Sequence, residues 1–313
     1  MEHKFSRRLF LEAGLAGAAG AALTTGAWGA ASRRSAAPAV TPLADHLLLV
    51  TGAGGNVLVV VGPEGPVLIG GGSPEHARGL LKHVREAAGE AVPTLINTHW
   101  HLDHTGANEL LGKRGARIIA HENTKLWMDT DFFVSWENRA YGPRVKHALP
   151  NSTLYEAGEL TCGAELIRYA HAPQAHTDGD LYAFLPNSNV LVTGDLLHVG
   201  RYPVIDYSTY GWIVGYVEAT QTLLQLVDAQ TRIIPGTGPV QTRAALEAQL
   251  EMCSAVRTRL HESFKKGNSL EEFIASAPTR EFDARWGGEA PRFLEMAYES
   301  AMGRLYQMGG GIV

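Results

Sequence analysis

Cysteine is nearly absent from this chain. There are two in 313 residues, Cys162 and Cys253, far apart and in no CxxC spacing. That excludes a disulfide-stapled scaffold and a cysteine-based zinc ribbon; one disulfide between them is possible in an oxidising compartment, but the two thiols read first as small buried apolar residues. Basic clusters are missing too. At a net charge of −5 the chain has no general attraction for nucleic acid or anionic lipid. Charged residues make up 19% against 45% hydrophobic, which is a globular composition rather than a disordered one. There is no short tandem repeat. The apolar run from Ala13 to Leu23 is built of Ala and Gly, which give little transfer energy, so no stable membrane anchor is expected. What remains is a globular protein whose expected partner is a small-molecule substrate.

The N-terminus carries Ser6-Arg7-Arg8-Leu9-Phe10-Leu11, a twin-arginine pattern. The Ala/Gly run follows it, and the small residues Ala27, Gly29, Ala30 and Ala31 offer a cleavage site. Residues 1–31 read as an export signal of the twin-arginine type, which places the mature protein in the periplasm or outside the cell. Residues 32–44 read as a linker, 45–260 as the main domain and 261–313 as a helical extension.

Three short strands are expected at 46–51, 56–61 and 66–69, separated by Gly and Pro turns. Ser73-Pro74 opens a helix to about Gly89. A buried strand at 93–98 runs straight into the stretch His99-Trp100-His101-Leu102-Asp103-His104. A short helix (105–111) and a strand (117–120) follow. The aromatic-rich region 127–150 reads as a functional loop or a helical insert. Strands resume at 165–169, 180–184, 190–193 and 231–234, with helices at 212–229, 241–266, 269–276 and 290–307. Two runs of strands and helices, each ending in a polar cluster, predict two mixed sheets packed face to face with helices outside. The last segment, with Phe293, Leu294, Met296 and Tyr298, can pack on its own domain or on a neighbour.

Thirteen histidines are many for this length. Those at 99 and 101, directly after a strand, can aim two imidazoles the same way, while Asp103 and His104 face a second point in the turn. Borderline metals such as zinc take imidazole nitrogen and carboxylate oxygen. Burying clustered histidines without partners would be costly. Downstream, His176 sits just before one strand and Asp195 ends the next.

In these motifs the chain resembles the metallo-β-lactamase superfamily over residues 45–260. His99 to His104 match its HxHxDH motif, His176 its third histidine, Asp195 its bridging acid, and Pro235-Gly236-Thr237-Gly238-Pro239 its late PGHGP element. The resemblance implies an α+β fold, an αββα four-layer sandwich with the metal site at one edge. It implies that His99, His101 and His176 bind a first zinc, that Asp103 and His104 bind a second, and that Asp195 lies between. Two positions depart from it. Thr237 stands where the family has a metal-binding histidine, and Gly70 where it has an aspartate. One tight zinc and a weakened or absent second are therefore expected. His198 is placed to substitute, but reads first as a loop histidine lining the cleft.

A divalent ion so held lowers the pKa of water and polarises a substrate oxygen, with Asp103 as the catalytic proton acceptor. The expected reaction is hydrolysis of a β-lactam, lactone, ester or thioester. Trp127, Phe132, Phe133, Trp136, His198, Arg201 and Tyr202 are pocket candidates. Asp206, Tyr210 and Trp212 belong to the same downstream set, and Arg201 is expected to pair with Asp206 or with a substrate carboxylate. His121 and His171 read as structural. The alternatives are an Fe(II) sulfur dioxygenase held by His99, His176 and Asp195, and an exported binding protein without turnover.

Overall fold

The computed structural model describes residues 38–89 and 91–307, the side chains through 304. The expected leader and residues 308–313 lie outside the described residues. The strands in chain order are β1 (Ala39–Ala44), β2 (Leu47–Ala53), β3 (Gly55–Val60), β4 (Val67–Ile69), β5 (Thr94–Ile96), β6 (Arg117–His121), β7 (Phe132–Val134), β8 (Arg139–Tyr141), β9 (Ser152–Leu154), β10 (Ala157–Cys162), β11 (Glu165–Ala172), β12 (Asp180–Leu185), β13 (Val190–Gly194) and β14 (Arg232–Pro235). The helices are α1 (Ala77–Ala88), α2 (Leu102–Thr105), α3 (Asn108–Gly112), α4 (Glu122–Met128), α5 (Ile213–Leu226), α6 (Arg243–Lys265), α7 (Leu270–Ala275), α8 (Asp283–Trp286) and α9 (Ala290–Gln307).

A seven-stranded sheet runs β1-β2-β3-β4-β5-β6-β9 and a five-stranded sheet runs β10-β11-β12-β13-β14. Alternation along β3 shows why the layers stack. Leu58 and Val60 point into the core between the sheets, where they meet Ile167, Leu181, Leu185 and Val192. Val57 and Val59 point the other way, onto Leu80 and Val84 of α1 and Leu111 of α3. A strand buried on both faces reads as a continuous apolar run, as GNVLVV does. The second sheet covers its outer face with α5 and α6, through Tyr216, Leu223, Met252 and Val256. This is the αββα order expected, in two mixed sheets.

The C-terminal helices join the same core. Phe293, Leu294, Met296 and Ala297 of α9 are buried with α5 and α6, so this face packs on its own chain. Residues 39–44, read as linker, instead form the edge strand β1, which Pro42 confines to an edge and bulges. The helix expected from Ser73 begins only at Ala77, after a turn closed by a Ser73 Oγ···His76 Nδ1 hydrogen bond. The aromatic region is neither a plain loop nor a helix. It holds the hairpin β7–β8, whose Phe132 and Tyr141 stack beside Trp100. Both cysteines are buried and unpaired, as expected. Among the described residues, no helix is long and apolar enough to cross a membrane.

Candidate metal centre

The chain leaves β5 through Asn97 and Thr98 and turns into α2, with His101 at its N-cap position. A buried amide pair holds this turn. Asn97 Nδ2 donates to Asn108 Oδ1 at 3.0 Å, and Asn108 Nδ2 donates back to Asn97 Oδ1 at 2.8 Å and to the carbonyl of Ala148 at 2.9 Å. Arg144 donates to the Trp100 carbonyl (2.8 Å) and to Thr105 Oγ1 (2.6 Å), fixing the outer side of the motif.

His99, His101 and His176 meet, each buried, with one donor atom apiece within 4.8 Å of the others. His101 Nδ1 and His176 Nε2 face each other at 3.1 Å. Their other nitrogens are tied from behind, His101 Nε2 to Asp206 Oδ2 (3.1 Å) and His176 Nδ1 to the Val204 carbonyl (2.8 Å). Such outer contacts fix the tautomer that leaves a lone pair facing inward. Asp206 is itself held by Trp136 Nε1 (2.8 Å) and Thr209 Oγ1 (2.6 Å). His99, His104 and Asp195 form a second, overlapping group. His104 Nε2 stands 3.2 Å from Asp195 Oδ1 and 3.6 Å from Asp103 Oδ2.

Electrostatics separate the rings. Burial, then the neighbouring His104, drives His99 well below the ordinary histidine value. Burial and His101 bring His176 down to about 3. Burial also works against a charge on His104, yet Asp103 and Asp195 override it and lift the group to about 9. For Asp195 burial favours the neutral acid, but His104 and His198 hold it well below the usual carboxylate range.

The donor set fits a metal on its own evidence. His99 Nε2, His104 Nε2, His198 Nε2 and Asp195 Oδ1 are buried without a hydrogen-bond partner. Orphaned polar atoms are expensive in a protein interior, and these are imidazole nitrogens and a carboxylate oxygen, all of them metal-ligating atom types, gathered at one place. The PGTGP loop is drawn tightly against them. A β-carbon on Gly236 would stand 1.8 Å from Asp195 Oδ1, so only glycine fits. Asn56 Nδ2 braces the loop through the carbonyls of Pro235 (2.9 Å) and Gly238 (2.8 Å). Gly70 is more than a missing carboxylate. Its φ is +89° and a β-carbon would meet Asn56 O at 2.7 Å, so the backbone here has taken a form that excludes aspartate.

A cleft of about 670 Å³ opens over the centre, lined by His101, Asp103, His176, Asp195, Trp136, Arg201 and Tyr202. Of the pocket candidates, Trp136, Arg201 and Tyr202 are therefore in place. Four are elsewhere. Trp127 donates to Asp178 Oδ1 (2.7 Å), Phe132 packs on Trp100, Phe133 is 52% exposed, and His198 is buried at 2% rather than lining the cleft. Arg201 does not pair with Asp206, which lies behind His101. Its Nη2 donates to Thr237 Oγ1 at 3.2 Å. His121 and His171 stack at 3.7 Å away from both trios. Sequence reasoning missed the support given by Asp206 and Asn97, and the rim residues Glu289 and Arg292 at the start of α9. Arg292 lies over the Trp136 ring at 5.2 Å.

A family model described as the metallo-beta-lactamase superfamily matches residues 50–244. A 2,4-dinitroanisole O-demethylase subunit alpha from a Nocardioides species is 24% identical over 283 residues, covering 86% of this chain and 80% of that one. A hydroxyacylglutathione hydrolase from Erythrobacter litoralis is 25% identical over 221 residues, covering 66% and 78%. The solved metallo-beta-lactamase from Pontibacter korlensis superposes with a TM-score of 0.57 at 20% identity, over 69% of this chain and 99% of that one.

Proposed function

The chain belongs to the metallo-β-lactamase superfamily, and on that footing we propose that it is a metal-dependent hydrolase of a small-molecule carbonyl substrate. β-Lactam, lactone, ester and thioester substrates all fall within the reading. The observation that carries it is the convergence of His99, His101 and His176 beside buried, unpartnered donor atoms at the floor of an open cleft. Three imidazoles suit zinc first. The second position, where Thr237 stands for a histidine, is the weaker one.

A divalent ion supplies, when bound, a lowered pKa for water and polarisation of the substrate oxygen. The chain's own residues do the rest. Asp206 and the Val204 carbonyl hold His101 and His176 in the tautomers a metal needs. Asp103, with its side chain 46% exposed at the cleft floor, receives a proton at its carboxylate oxygen. Arg201 enters the cleft from the rim and binds an anionic group of the substrate, while Trp136 walls one side.

The Erythrobacter relative is named as a hydrolase of hydroxyacylglutathione, which supports testing thioesters early. The Nocardioides relative, named as an O-demethylase subunit, adds an aryl methyl ether to the panel. Chelator-stripped protein, reloaded with zinc or with Fe(II), is to be assayed on β-lactams, lactones, thioesters, phosphoesters and that ether. Turnover is expected only after reloading and is lost in His101→Ala. Full zinc loading with tight ligand binding and no hydrolysis anywhere would contradict the reading. Export under the twin-arginine signal is tested by replacing Arg7 and Arg8 with lysine, which is expected to retain the protein in the cytosol.

A further inference from the structure

We propose that His198 is a ligand of the second ion, supplying from the loop after β13 the imidazole that Thr237 does not. The assignment rests on the metal reading above. It starts from a tautomer that the hydrogen bonds dictate. The Tyr216 hydroxyl donates its single hydrogen to the main-chain carbonyl of Asp195. Toward His198 Nδ1, at 3.0 Å, the same oxygen can then only accept. Nδ1 therefore carries a ring hydrogen, and in the neutral ring Nε2 is a bare lone pair.

That lone pair is buried, has no hydrogen-bond partner, and faces Asp195 Oδ2 at 3.5 Å. Two acceptors facing each other in a dry interior repel unless a cation stands between them. His101 and His176 are built in the same way, with one nitrogen tied to a partner behind and the other turned to the centre. The spacing fits as well. With bonds of about 2.0–2.1 Å, two donor atoms on one tetrahedral zinc stand about 3.3 Å apart. His198 Nε2 to Asp195 Oδ2 is 3.5 Å, His104 Nε2 to Asp195 Oδ1 is 3.2 Å, and His104 Nε2 to Asp103 Oδ2 is 3.6 Å. His198 meets Asp195 at Oδ2, which also faces His176 Nε2 at 4.0 Å, while His104 meets Oδ1, so the one carboxylate links all three rings.

The first ion has three imidazoles and needs an open corner, so the lone pair of His198 serves the second. Its loop is held for the purpose. The fully buried Gln249 of α6 accepts from the His198 N–H at 3.1 Å and donates to the Leu196 carbonyl at 2.7 Å. Thr237, meanwhile, is engaged by Arg201.

The test strips the full-length protein of metal and titrates it with zinc and with Co(II), reading stoichiometry, affinity and the number of imidazoles by X-ray absorption. Wild type is expected to bind two ions. His198→Ala is expected to bind one, with second-ion affinity falling beyond the roughly 10–100-fold that outer contacts contribute. Adding Thr237→His to His198→Ala is expected to restore the second ion. His198→Gln keeps the bulk and a hydrogen bond to Tyr216, and serves if the alanine variant does not fold; it is expected to lose the second ion too. Two ions held with unchanged affinity and imidazole number in the His198 variants would overturn the assignment, as would a loss within 10–100-fold at unchanged imidazole number, which marks a positioning residue. A wild type that binds one ion overturns the His198 assignment and leaves the metal reading standing. A wild type that binds none overturns both.

Discussion

His101 and His176 are each tied from behind by a fixed acceptor, Asp206 or the Val204 carbonyl, and point their free nitrogens at one another across 3.1 Å. Around Asp195 the arrangement is different. His104, His198 and the acid crowd together with orphaned atoms, a threonine replaces an expected histidine, and Arg201 brings a positive charge to the rim. One half of the centre is preorganised by its backing. The other half depends on what occupies it. Rigid backing stabilises a tight ion and fixed geometry, whereas a less constrained half can trade affinity for access to substrate.

The comparison can be broken from the strong side. His101→Ala removes a ring from the backed trio and is expected to abolish both metal retention and turnover, read by metal analysis and assay on the same sample. Next in size is Gly236→Ala. Its β-carbon overlaps Asp195 Oδ1 at 1.8 Å, so the loop must move, at a cost of about 1–3 kcal/mol seen as a lowered melting temperature together with weaker metal binding. Asp206→Asn keeps the shape but weakens the tie behind His101. Metal affinity should fall by about 10–100-fold, and the stripped protein should melt somewhat lower, because the amide nitrogen faces a buried donor where a carboxylate oxygen accepted. An unchanged affinity would show that the backing does not matter.

The smallest effect sharpens the contrast by leaving the centre alone. Burial, then the stacked His171, lowers His121 to about 4. The unfolded chain, with an ordinary histidine near 6.5, therefore binds the proton more readily between those values. Stability should fall as the pH drops from 6.5 toward 4, by on the order of 1 kcal/mol from this group after allowing for partial solvent screening. His121→Gln should flatten that part of the profile in chemical denaturation, with metal content unchanged at pH 7.

What the sequence made legible follows from how strongly each feature is driven locally. Runs such as GNVLVV are buried on both faces and announce themselves. β1 did not, because AVTPLA is an exposed edge containing Pro42, and neither did β10, whose AGELTC alternates exposed and partly buried residues. At the site, the spacing of His99, His101 and His104 carried its own signal, since so few chains cluster imidazoles without use for them. Asp206 carried none. A single aspartate in a loop becomes the partner of His101 only once the second sheet has brought it there, across 105 residues of sequence. The same holds for His198, whose burial depends on Tyr216 and Gln249 from two helices. The pocket aromatics were misplaced for the opposite reason. Trp127 and Phe132 had the right composition for a cleft but found closer partners in Asp178 and Trp100.

The most direct test of the centre is a crystal structure of the metal-loaded protein, with anomalous diffraction at the absorption edge of the bound ion. The account predicts a strong peak about 2.0–2.1 Å from one nitrogen each of His99, His101 and His176, with Asp206 still bonded behind His101. Full loading in solution with no peak among those three rings, or with the rings turned to other partners, would contradict it.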